Sequence, residues 1–145
     1  MSRWIRVGAL MLLLAGCGSG TAPLAVLHSR LTVTPLPLGA QPPFAAATIL
    51  AAGDSVVTTH VSGYSGCYDY SAGSVAAGAA LAVTVSAQAS ALRDCAQVIA
   101  YAQFRVVVRP TPAGRYDVVL GERAVPAGGS PGPTSEIARR SVVVR

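Results

Sequence analysis

Apolar and polar positions alternate through much of the second half of this chain. The clearest run extends from Val98 to Arg109. Val98, Ala100, Ala102, Phe104, Val106 and Val108 fall on one face, and Ile99, Tyr101, Gln103, Arg105, Val107 and Arg109 on the other. A period of two held this long predicts a strand, because a helix would scatter these positions around its axis. Its length suggests a bend or bulge within it. Leu81, Val83 and Val85 alternate with Ala82, Thr84 and Ser86, and Tyr116, Val118 and Leu120 repeat the pattern with their side chains inward. Ser141–Arg145 reads as a last strand.

The first half carries the same signal less regularly. Ser55–Ser62 is β-branched nearly throughout, and Gly53-Asp54 separates it from Ala45–Ala52, so the two predict a hairpin. Leu31-Thr32-Val33-Thr34 predicts an edge strand ended by Pro35. Gly63 and Gly66 bracket a turn, Gly73 and Gly78 mark further turns, and Pro110–Gly114 is another. Residues 87–94 can form a helical turn. Residues 121–135 carry three Pro and four Gly and read as a long mobile loop. About seven strands, with turn signals every eight to twelve residues or so, predict an all-β chain: an antiparallel β-sandwich of immunoglobulin type.

The start of the chain breaks the pattern. Arg3 and Arg6 precede an apolar run, Ile5–Leu14, and small residues follow it. This is the layout of an export signal. The run is too short for a mature membrane-spanning helix, which needs about 20 apolar residues. Leu14-Ala15-Gly16-Cys17 resembles a bacterial lipobox. The resemblance implies cleavage before Cys17, lipid on its thiol and acylation of the new amine, enough acyl chains for stable anchoring. Gly18 follows Cys17, which resembles cargo sent to the outer membrane if the cell is Gram-negative. The expected organisation is a helical lipoprotein signal peptide over 1–16, a lipidated N-terminus and Pro/Gly-rich tether over 17–43, and a β-sandwich over 44–145.

That assignment changes the cysteine count. With Cys17 taken by lipid, Cys67 and Cys95 remain in an oxidising compartment, where an intramolecular disulfide is the default. The closed loop would contribute about 3.5 kcal/mol in the chain-entropy account. A two-thiol metal site is the alternative, but no His or further Cys lies at ligand spacing from either residue. Charge changes the picture less. The chain has no Lys, and its formal net charge is +5. The leader removes Arg3 and Arg6, and no block of like charge remains to suggest a nucleic-acid arm.

Several segments together resemble the immunoglobulin-like domains of small bacterial envelope lipoproteins. They are Ala52-Gly53-Asp54-Ser55-Val56 with Val61-Ser62-Gly63, Gly66-Cys67 before one strand, Cys95 before a long one, and Pro112-Ala113-Gly114-Arg115-Tyr116-Asp117-Val118. The resemblance covers about residues 45–145 and implies that Tyr116 packs into the core from the penultimate strand. It departs from the family in lacking the usual strand-C Trp, since Trp4 lies in the leader. Cys95 also precedes Tyr116 by a full strand, unlike the antibody pairing. The resemblance implies no catalytic residues.

Candidate chemistry is sparse. Tyr64, Tyr68 and Tyr70 crowd with His60 around the Cys67 turn; they are either an aromatic platform for glycan or peptide, or ordinary strand tyrosines. Arg105 and Arg109 share the outward face of the long strand, either as a basic stripe for anionic lipid or polysaccharide or as a solvated face. His28 is expected to face water from the tether. The acids are Asp54, Asp69, Asp94, Asp117, Glu122 and Glu136. Gly-x-Ser-x-Gly is absent, and Tyr64-Ser65-Gly66-Cys67 is no nucleophile elbow because no helix follows. No catalytic residue, metal or cofactor is expected. A pocket joining His60 to a carboxylate is the arrangement that would reopen an enzymatic reading. The expected function is a lipid-anchored, non-enzymatic binding or structural module of the cell envelope. It would meet the membrane through Cys17 and an unknown envelope protein or polysaccharide through its surface, with no nucleic-acid partner. The alternative is an envelope inhibitor of an exported hydrolase, inserting residues 121–135 or 62–70.

Overall fold

Nine strands carry the alternating and β-branched stretches. The computed structural model describes residues 22–37, 39, 47–90 and 100–145, and no helix occurs among them. The strands are β1 (Leu24–Leu27), β2 (Ser29–Pro35), β3 (Thr48–Ala52), β4 (Ser55–Tyr64), β5 (Tyr68–Ala77), β6 (Ala80–Ala89), β7 (Ala100–Val108), β8 (Gly114–Val125) and β9 (Ser135–Val144). They form a five-stranded sheet in the order β1-β5-β6-β8-β9 and a four-stranded sheet in the order β2-β7-β4-β3. The inward faces of the two sheets supply one core. Ile49, Val56, Leu81, Val83, Phe104, Val106, Val108, Val118 and Leu120 are all fully buried in it. The sheets also meet at both seams, where β3 lies along β9 and β2 along β5. At the second seam the Ser29 hydroxyl donates to the Ala72 carbonyl at 2.9 Å.

Much of the predicted patterning is found in place. Ala102, Phe104, Val106 and Val108 of β7 are buried, as are Leu81, Val83 and Val85 of β6. The Gly53-Asp54 hairpin joins β3 and β4, with Gly53 in the left-handed region at φ +62°. Tyr116 is buried in the penultimate strand, and its hydroxyl donates to the Pro112 carbonyl at 2.5 Å. That back-bond is the tyrosine corner found in sandwich domains.

Other expectations are corrected. The strands number nine among the described residues, against about seven expected. The sandwich is not wholly antiparallel: β6 and β8 run parallel, from Ala80 beside Asp117 to Gln88 beside Val125. Between them the chain crosses to the other sheet as β7 and returns, and such a crossover can bring two strands into the same direction. Part of the stretch expected as tether is folded. Residues 24–35 are strands, β1 on β5 and β2 on β7. Leu27, Leu31 and Val33 pack against the core, and this burial draws the segment into the fold. His28, at the switch between the sheets, is exposed as expected. Gly73 lies within β5 and marks no turn, whereas Gly78 does, with φ +57°. Residues 87–89 continue β6, and 121–125 continue β8, so the loop expected over 121–135 spans 126–134.

The leader, Cys17, Cys95, Val98 and most of residues 38–46 lie outside the described residues. The two described residues that flank 91–99 lie near the Cys67 turn. Ser90 N–H donates to the Cys67 carbonyl at 3.0 Å, and Ala100 lies opposite Tyr64.

Candidate functional site

The inward face of β4 changes character along its length. Val56 and Thr58 are core positions; His60, Ser62 and Tyr64 continue the same face toward one end of the sandwich. β8 does likewise: Tyr116, Val118 and Leu120 are followed on the same face by Glu122. A register shift at Leu120/Gly121 skips Ile137 of β9. There Gly121 is tightly overlain: a Cβ on it would sit 2.5 Å from Thr134 Cγ2 and 3.1 Å from the Ser135 carbonyl oxygen. Only glycine admits that approach, which brings the end of the 126–134 loop over β8.

These ends enclose a cleft of about 830 Å³ between the sheets. Its walls include Ser62, Tyr64, Tyr68, Tyr70 and Glu122, with Gly132 and Pro133 from the loop. The loop is folded back, Gly132 N–H donating to the Ala124 carbonyl at 2.9 Å. Tyr64 and Tyr70 stack with centroids 5.4 Å apart and planes 21° apart; Tyr68 tilts against Tyr70 at 6.4 Å. Tyr70 in turn packs on Phe104 at 5.1 Å, so the aromatic wall is continuous with the core. The turn between β4 and β5 fixes the tyrosines. Ser65 N–H donates to the Tyr70 hydroxyl at 3.0 Å, and Cys67 N–H to the Ser65 hydroxyl at 3.2 Å. Burial is the main reason the Tyr70 phenol titrates above its ordinary value. The Ser65 bond opposes the rise, and the neighbouring Tyr64, Tyr68 and Glu122 add to it.

Glu122 is the charged centre of the cleft. His60 Nε2 lies 2.6 Å from one carboxylate oxygen, and the Ser62 hydroxyl donates to the other at 3.0 Å. The His60 side chain is almost wholly enclosed, while 31% of the Glu122 side chain remains accessible. His60 also stacks on Phe104 at 5.3 Å, and its Nδ1 has no hydrogen-bond partner. The carboxylate therefore stands between serine and imidazole. A nucleophilic triad needs the imidazole between the hydroxyl and the acid, with a nitrogen free to take the proton. Here Nε2 is occupied and Nδ1 is shut in the core. His60 and Ser62 together hold the Glu122 carboxylate in place.

The sequence-predicted patch divides. Tyr64, Tyr68 and Tyr70 come together, but Arg105 and Arg109 lie on the outer face of the four-stranded sheet, apart from the cleft. The cause is parity: odd positions of β7 point out while Phe104 and its even neighbours point in. Arg109 pairs with Asp54 there at 3.4 Å, both well exposed, an interaction worth little in water. Sequence reasoning missed Ser62 and Glu122 as site residues. One more step of the Tyr116–Leu120 alternation would have found Glu122, had residues 121–135 not read as loop.

No group of three or more His, Cys, Asp or Glu among the described residues is placed to hold a metal ion. Fold and site together define a two-sheet β-sandwich with an aromatic, carboxylate-bearing cleft at one pole. No protein-family model, curated protein or solved structure matches the chain.

Proposed function

We propose that this protein is a lipid-anchored, non-enzymatic module of the bacterial cell envelope that receives its partner in the tyrosine cleft. The observation that carries this reading is polarity along the sandwich. The chain enters β1 beside Ala77, and the cleft opens beside Tyr68, at the far end of the same strand β5. At ~3.3 Å per residue the two poles are about 30 Å apart. From Cys17 to Ala22 the chain can extend about 18 Å at most. A lipid on Cys17 therefore holds the first pole near the membrane and turns the cleft away from it, toward an envelope protein or polysaccharide.

The finer parts of the proposal have separate support. For an immunoglobulin-like sandwich it is the pair of packed sheets and the Tyr116 corner, against which the parallel β6/β8 pair is a departure. For a Cys67–Cys95 bond it is the position of residues 90 and 100, which flank the stretch holding Cys95, near the Cys67 turn. The inhibitor reading has less behind it. The 126–134 loop carries no acid or aromatic residue to insert into a target and is bonded back onto β8, and residues 62–70, which do carry aromatics, line the cleft through Tyr64, Tyr68 and Tyr70.

Two experiments test the proposal. Cys17→Ala should move the protein from the membrane fraction to the soluble one; retention at the membrane would contradict the anchor. Cross-linking pull-down from envelope fractions should recover a partner with the wild-type chain and lose it with Tyr64→Ala. Equal recovery with a correctly folded Tyr64→Ala would remove the cleft from the account.

A further inference from the structure

The cleft reading leaves open what chemistry the ligand presents, and Glu122 bears on that. Its carboxylate is fixed by His60 Nε2 and the Ser62 hydroxyl, it stays partly accessible, and it lines the same cleft as Tyr64, Tyr68 and Tyr70. No arginine pairs with it among the described residues. The exposed ion pairs there join Arg109 to Asp54 and Arg139 to Glu136. The adjacent Arg123 also lines the cleft, but its guanidinium is drawn to the other face of β8, where its Nε donates to the Ser86 hydroxyl at 2.8 Å. Eleven arginines against six acids make the chain basic overall, yet its cleft presents a held carboxylate.

Resting on the proposal that this cleft is the binding site, we infer that it recognises an organic cation, an ammonium or guanidinium group carried by the partner. Glu122 supplies the counter-charge, and the tyrosines supply the ring faces. A cation within about 6 Å of a ring centroid is drawn to the negative face of the ring. Tyr68 is the ring best placed to be met first, since it is 38% exposed at the mouth. Tyr64 and Tyr70 cover one face of each other and offer less flat area than a sugar ring needs. A point charge needs much less area. A positive side chain such as lysine or arginine entering between Tyr68 and Glu122 meets both features in one step.

The test uses the full chain in non-ionic detergent and isothermal titration calorimetry. The probes are n-butylammonium and arginine amide, with n-butanol as a neutral isostere and cellobiose as a neutral sugar. Both cations should bind saturably, and n-butanol should not. Glu122→Gln, which keeps the side-chain shape, should weaken cation binding about tenfold or more, while Glu136→Gln on the outer face leaves it unchanged. Tyr68→Leu should weaken it about threefold and serves as the second variant should Glu122→Gln fail to fold. Equal binding of n-butanol and n-butylammonium, undiminished cation binding in folded Glu122→Gln, or no saturable binding by either cation would overturn the inference. Saturable cellobiose binding that is lost in Tyr68→Leu, with no cation binding, would sink the cation and leave the cleft as a binding site.

Discussion

Tyr116 and Tyr70 show how single side chains join core to function. Tyr116 buries its ring and sends its hydroxyl back to Pro112, satisfying a polar group at the edge of the core. Tyr116→Phe should cost about 1 kcal/mol, the usual net worth of such a bond, read as a lower urea midpoint with unchanged slope. Tyr70 is held protonated mainly by burial. A group whose pKa is raised on folding contributes stability below its unfolded value and loses it as pH climbs through the folded one. Tyrosinate absorbance should therefore show the Tyr70 phenol ionising above pH 10.0, with folding stability falling over the same range. Tyr70→Phe should remove both the late phase and that part of the alkaline loss. An alkaline titration left unchanged by Tyr70→Phe would contradict the burial.

Among the elements, β1 and β2 most change the picture. They cap one edge of each sheet, β1 against β5 and β2 against β7. A chain beginning at residue 44 should expose two unpaired strand edges and the core surface under Leu31 and Val33, and should aggregate or unfold. A chain beginning at residue 22 should fold with a cooperative thermal transition. A stable, monomeric product from residue 44 would show that these strands are dispensable. Element scale is also where the sequence was most and least legible. β6, β7 and the first half of β8 were read correctly because one face is buried and the other wet, which forces period two. β1 escaped notice because Leu24 and Val26 are exposed, at 77% and 84%, so no inward face marks it. The second half of β8 is hidden by the glycines and prolines after it, although Glu122 falls on the same face as Leu120. The parallel pairing of β6 and β8 left no trace, because pairing partners across a crossover are set by packing of the whole sandwich.

For the whole molecule, the central claim is an axis. Chain entry lies at one pole, and at the other lies a cleft with three tyrosines and a held carboxylate. Nothing in residue spacing alone reveals such a site, because Ser62, Tyr70 and Glu122 come from three strands that only the fold brings together. The most direct measurement is site-specific photo-cross-linking in the intact envelope. A photoreactive residue is placed at Tyr68, at the cleft mouth, and in a second protein at Arg105, on the outer sheet face. The account predicts a discrete cross-linked partner from position 68 and none from position 105. Cross-links from position 105 with none from position 68 would contradict it and move the working surface to the arginine face.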